Sequence, residues 1–198
     1  PSPHDPSTGH LHDRLTIEKA NTAAGDPLLT LPVVIANTVT VADTLQNLEV
    51  RDANGAVPLV VKDDPVAIAY ARHWTSRRAV KGDLVVSYRA PVDNTPPRRG
   101  SGPPYQLRTE GGGVSGVGNT FLLLPETQKP YRVSIKWDLS ALASGATATS
   151  SHGDGDVDLP AGPVARLSST VFMAGPMKRY PSQPGSAFST AWMGSPPF

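Results

Sequence analysis

Nine residues, Tyr131 to Leu139, alternate without a break: Tyr131, Val133, Ile135, Trp137 and Leu139 are apolar, and Arg132, Ser134, Lys136 and Asp138 are polar. A period of two sends successive side chains to opposite faces, so the pattern predicts a strand with one buried and one wet face, and it places Trp137 between sheets. Leu84, Val86, Tyr88 and Ala90 repeat the pattern after the turn Lys81-Gly82-Asp83. A shorter version runs over Arg14–Lys19. Leu48–Asp52 and Ala56–Lys62 flank Ala53-Asn54-Gly55 and read as a hairpin, because Asn-Gly favours the left-handed conformations of a tight turn. Pro58 makes the second arm an edge strand or a bulge. Asp64-Pro65 ahead of Val66–Tyr70 fits one capped helical turn or an irregular strand equally well. Thr120–Leu124 and Ala165–Met173 are further β-prone stretches. No long helical period competes. The expected fold is all-β: an antiparallel β-sandwich with long Pro/Gly-rich loops and at most short helical turns.

Composition sharpens this. The 198 residues include 21 Pro and 18 Gly without a collagen-like period, which means many turns and few helices. The densest break, 91–118, holds Pro96-Pro97-Arg98-Arg99-Gly100, Pro103-Pro104 and Gly111-Gly112-Gly113, and reads as a long surface loop inside one domain. Either half alone has too few strands to cover a sheet. The expected organisation is a loose segment 1–13, one sandwich 14–180, and an irregular tail 181–198 leading toward a missing domain. That tail carries Phe188, Trp192, Met193 and Phe198, bulky residues that dock on this domain or on a neighbour.

Charge and cysteine content exclude some functions. Eighteen Lys+Arg against 17 Asp+Glu leave a net charge of +1, which argues against a nucleic-acid footprint. Cys is 0, so there is no disulfide, thiolate ligand or thiol nucleophile. The longest apolar run, Phe121–Pro125, is too short to span a bilayer. The chain starts at Pro1 without Met, which reads as a processed or excised product.

Candidate chemistry is sparse. Gly111-Gly112-Gly113-Val114-Ser115-Gly116 fits G-x-G-x-x-G but lacks the strand and helix of a dinucleotide site, so it reads as a loop. Asp154, Asp156 and Asp158 alternate as at the start of a calcium loop, yet Leu159 and Ala165 stand where that loop needs Gly and an acid. They are the metal candidates, against a solvated hairpin loop. The five histidines, His4, His10, His12, His73 and His152, never form His-Glu-x-x-His. His73-Trp74 with Arg72, Arg77 and Arg78 makes a basic-aromatic cluster, with His73, Trp74, Arg77 and Arg78 as the binding candidates: either a ligand platform, or a Trp at the core edge with snorkelling arginines. No catalytic residue can be nominated.

The segments Gly118–Pro125, Val133–Ser140 with Trp137-Asp138-Leu139, Thr149–Gly155 and Val171–Tyr180 together resemble the N-terminal β domain of the glycyl aminopeptidase family, zinc metallopeptidases related to the aminopeptidase N group. Leu48–Gly55, His73-Trp74 and Gly82–Tyr88 look like that family's hairpin and Gly-led strand. The resemblance covers roughly residues 14–180 and departs from the family pattern at Leu31–Val34. It implies a non-catalytic domain that packs against the catalytic domain of its own parent chain and helps shape the peptide cleft. By the same resemblance the location is periplasmic or secreted, the parent acts on peptides, and the zinc and general base lie in the missing α-rich domain. No cofactor is expected in this chain. The competing expectation is a stand-alone β-sandwich binding module for carbohydrate or protein, anchored on Trp74 or the tail. In a third, the tail inserts into a partner subunit.

Overall fold

The computed structural model describes residues 2–5, 9–35, 38–94, 106–181 and 190–194; for 2–5 only the backbone is described. The fold is all-β, and every strand pairing is antiparallel. One sheet runs in the order Ser2–Asp5, His10–Ile17, Leu84–Pro91, Gln46–Asp52, Gly55–Ala56. A second runs Leu124–Pro125, Pro27–Ile35, Tyr70–Ser76, Leu59–Asp63, with Thr38–Val39 also on Pro27–Ile35. A third runs Arg108–Glu110, Gly113–Val117, Val171–Gly175, Thr147–Ser150, Gly153–Asp154. Two ribbons complete it, Pro130–Ile135 with Val157–Pro163 and Lys178–Tyr180 with Thr190–Trp192. Three short 3₁₀ helices are the helical elements among the described residues, and none is long and apolar enough to cross a membrane.

Hydrophobic alternation produces one continuous core. Leu84, Val86, Tyr88 and Ala90 are buried at every second position of the Leu84–Pro91 strand, which has a neighbour on each side. Leu29, Leu31, Phe121 and Leu123 join the same cluster, as do Phe172 and Ala174 from the third sheet. Phe172 meets Phe121 edge-on at 5.6 Å and Trp137 at 6.1 Å.

Several sequence expectations need correction. The strand from Tyr131 keeps its alternation to Leu139, but its pairing ends at Ile135, where the Trp137 N–H turns to the Asp156 carboxylate at 2.9 Å. Trp137 is therefore half-buried, packed on Phe172 rather than sealed between sheets. Phe121–Leu123 is not a strand: its amides go to the Gly118 carbonyl and to the Tyr88 hydroxyl. Residues 64–69 form neither a helical turn nor a strand but an exposed connection between two paired strands.

A further correction concerns 91–118. Residues 95–105, with Pro96–Gly100 and Pro103-Pro104, lie outside the described residues, but 106–118 contains two strands. Gly111 (φ +54°) and Gly112 (φ +82°) form the turn between them; both angles are left-handed, the requirement of a two-residue hairpin turn. The glycine run is thus a hairpin rather than a free loop. Phe188 and Phe198 of the tail lie outside the described residues. Thr190–Trp192 forms a strand, and Met193 is buried against the glycine hairpin, where a Cβ on Gly113 would sit 2.3 Å from its sulfur.

Candidate functional site

The Tyr70–Ser76 strand carries two of the four basic-aromatic candidates and sends them to opposite faces. Trp74 points inward and is 4% exposed, so its ring offers no face to a ligand. His73 points outward between two carboxylates. One ring nitrogen is 2.7 Å from Glu126 and the other 3.2 Å from Asp64. The Glu126 hydrogen bond, and then Asp64, hold its pKa above 6.5 against partial burial.

Next to it, Arg72 forms a fork with Asp63: Nε donates to Oδ1 at 2.6 Å and NH2 to Oδ2 at 2.7 Å. Arg72 also reaches Asp43 at 2.8 Å and the Ala42 carbonyl at 2.9 Å. The Arg72 bond keeps the Asp63 carboxyl below its usual range. These contacts tie the edge strand Leu59–Asp63 and the connection 64–69 to the rest of the second sheet.

Arg78 serves the hairpin predicted at Asn54-Gly55. It donates to both Asp52 oxygens, at 2.7 and 2.8 Å, and to the carbonyls of Gly55 and Ala56. Asp52 also accepts from the Asn54 and Lys81 amides, and together these hold its carboxyl well below the usual range, Arg78 contributing most. Arg77 is exposed, and its amide bonds the Pro58 carbonyl. The structure thus brings His73 together with Asp64 and Glu126, but it does not bring Trp74, Arg77 and Arg78 to one surface with it.

The braced edge is also where apolar surface is exposed. Of the seven large exposed hydrophobic side chains among the described residues, Val60, Val61, Val66 and Ile68 lie on this strand and its connection, Val66 and Ile68 at 85% and 83%.

The three alternating aspartates separate. Asp154 accepts from Thr149 at 2.7 Å and pairs with Arg179 at 2.6 Å, which lowers its pKa. Asp156 receives the Trp137 amide and lies 3.6 Å from Lys136. Asp158 lines, with Trp137, a cleft of about 1250 Å³ between the His10–Ile17 and Pro130–Ile135 strands. Among the described residues no three His, Asp or Glu side chains form a metal-holding group.

The expectation of a loose segment 1–13 placed Asp13 in solvent. It is 3% exposed, lies opposite Tyr88, and neither carboxylate oxygen has a hydrogen-bond partner. Burial raises its pKa to about 7. The signal was present: Leu11, Asp13, Leu15 and Ile17 share one parity, so a strand begun at His10 instead of Arg14 puts an acid on the core face.

No protein-family model matches this sequence, and no curated protein matches it. The fold is similar to the crystal structure of an aminopeptidase N family protein from Idiomarina loihiensis, with a TM-score of 0.58 and 14% sequence identity over 86% of this chain and 28% of that one. The chain therefore spans less than a third of that protein's length. At this identity the likeness is one of fold.

Proposed function

We propose that this chain is a non-catalytic N-terminal β domain of a zinc metallo-aminopeptidase, periplasmic or secreted, which packs against the catalytic domain and helps shape its peptide cleft. The observation that carries the reading is the asymmetry of the fold likeness: 86% of this chain aligns with 28% of a much larger aminopeptidase N family protein. The motifs of Gly118–Tyr180 support it from the sequence side. The exposed Val66 and Ile68 of the 64–69 connection offer apolar side chains to the neighbouring domain, and the ion pairs of Arg72 and His73 brace the strands that hold this connection.

Zinc in such an enzyme activates a water for attack on the peptide carbonyl. The described residues of this chain do not fit that metal. No three donors converge, and both His73 nitrogens face carboxylates of their own. In this proposal zinc and its ligands belong to the catalytic domain.

The test is activity together with sequence context. The reading frame that encodes this chain should encode His-Glu-x-x-His downstream. The purified 198-residue chain, supplied with zinc, should not cleave an aminoacyl reporter. Cleavage that persists after all five histidines are replaced would overturn the proposal. In the longer protein, Val66→Asp with Ile68→Asp should loosen the domain contact and raise KM. Unchanged KM and unchanged protease resistance would remove this edge as the contact surface.

A further inference from the structure

Two strand edges stand open across the large cleft. Leu84–Pro91 pairs along the whole of His10–Ile17 on one side, but on the other side Ser2–Asp5 reaches only from His10 to His12. Among the described residues no strand pairs with Arg14–Ile17 on that side. Pro130–Ile135 is likewise paired on one side alone, with Val157–Pro163. A cavity of about 160 Å³ shares Arg14, Thr16 and residues 131–134 with the cleft and continues it inward. It is lined by residues 13–17 of the first strand and 131–135 of the second. Successive residues of a strand point to opposite faces, so a space touched by an unbroken run on each strand lies along their edges. An open edge presents N–H and C=O groups that no strand bonds, which makes it a template for another extended chain.

We infer that this gap is the docking site of an acidic peptide segment, which enters in extended form as a strand between Arg14–Ile17 and Pro130–Ile135. Backbone groups on both sides supply the pairing such a segment needs, with about 4.8 Å to each neighbour. Charge selects its side chains. Arg14, Lys19, Lys129, Arg132 and Lys136 line the cleft, two more cations than the carboxylates there, those of Glu18, Asp138 and Asp158. Lys136 has Asp156 at 3.6 Å, and the other four cations make no ion pair among the described residues. Arg14 and Arg132, one on each strand, border the gap itself and are exposed, while the inner wall is apolar, with Leu122, Leu124 and Phe172. A segment with acids at every second position meets both demands: one parity sends carboxylates to the arginines, and the other sends apolar side chains inward. The same arginines select against a second copy of this chain, because pairing these edges with each other sets guanidinium against guanidinium. The site belongs to this chain alone and does not depend on a catalytic domain.

The experiment titrates acetyl-Glu-Val-Glu-Val-Glu-Val-amide into the 198-residue chain, observed by NMR of backbone amides. Saturable shifts should appear at Thr16 and Ser134, with slower amide exchange along Arg14–Ile17. The same peptide with Lys in place of Glu should bind at least about tenfold more weakly. So should the acidic peptide N-methylated at its valines, which keeps every charge but loses the donors that face one neighbouring strand. Arg14→Glu with Arg132→Glu, both at exposed positions, should cost at least about tenfold in affinity for the acidic peptide. Four results would overturn the proposal: no saturable shift in the wild-type chain; equal affinity for the lysine peptide; full affinity in the double variant; or full affinity of the N-methylated peptide. In the last case the cleft reads charge alone, as it would on an acidic polysaccharide.

Discussion

Two carboxylates on the first sheet have opposite fates. Asp52, at the tip of the Gln46–Asp52 strand, receives both arms of Arg78 and two backbone amides. Asp13, on the core face of the His10–Ile17 strand, receives no hydrogen bond at all. The first pins a hairpin turn whose conformation Asn54-Gly55 already favours. The second sits where a leucine would serve the fold better. The same contrast separates the outer network of Arg72 and His73, where every charge has partners, from the interior. A protein usually satisfies its buried polar groups first and leaves exposed charges to water. Here the order is reversed at Asp13, whose two carboxylate oxygens are both buried without a hydrogen-bond partner.

The largest expected effect breaks the contrast directly. Asp13→Leu should stabilise the chain at neutral pH and above. A carboxyl whose folded pKa is raised holds its proton longer in the folded state, so stability falls as pH rises from about 4 toward 7 and then levels off. The gap between 3.8 and about 7, at about 1.4 kcal/mol per unit, comes to roughly 4 kcal/mol. Denaturant midpoints across pH 4–8 should show that slope in the wild type and a flatter line in Asp13→Leu and Asp13→Asn. Equal slopes in all three would mean that Asp13 does not carry the pH dependence.

Tyr88→Phe sharpens the comparison from the other side. Tyr88 is as deeply buried as Asp13, and its hydroxyl serves two backbone groups that no strand satisfies. Removing it strands the Leu123 amide and the Phe121 carbonyl, at a cost of about 1–3 kcal/mol. A smaller loss would show that the 121–123 segment finds other partners. Arg72→Gln tests the exposed network, where screening limits each pair. About 1 kcal/mol is expected, with increased proteolysis at the 64–69 connection as the local readout.

How much of this was legible follows from what period-two patterning encodes. It encodes facing, so the Leu84–Pro91 strand and the wet and dry sides of 131–139 were readable. It does not encode where hydrogen bonding stops. Ile135 ends its strand because a side chain, Asp156, takes the next amide, a contact 19 residues away. The glycines at 111–112 gave no strand signal because a hairpin turn and a loose loop share composition; the left-handed angles separate them. The ion network was legible only as composition. Arg72 and His73 follow each other in sequence, yet their partners Asp43, Asp63, Asp64 and Glu126 span more than 80 positions. Trp74 and His73, adjacent in sequence, face opposite ways because they occupy a strand, and that parity was readable before any contact was. Asp13 was missed by a boundary error, since beginning the strand at Arg14 instead of His10, four residues late, moves the acid from the core into a tail.

The smallest effect separates the two regions by pH. Glu126 and Asp64 raise the His73 pKa above 6.5, so the folded state holds this proton more tightly than the unfolded chain. Its stabilisation is fully present below about pH 6.5 and disappears as pH rises through the folded value. Asp13 also weakens the fold as pH rises, but its window closes near 7. In an Asp13→Asn background the remaining slope above pH 6.5 should belong to His73, and His73→Gln should remove it, at under about 1 kcal/mol because the pair is partly exposed. Amide exchange at Ala71, whose N–H faces the Asp64 carboxylate at 3.3 Å, should speed up in the same window, while exchange at Leu123 should not change. If Leu123 responded and Ala71 did not, the titrating group would lie in the core, and the division between a braced exterior and an unsatisfied interior would fail.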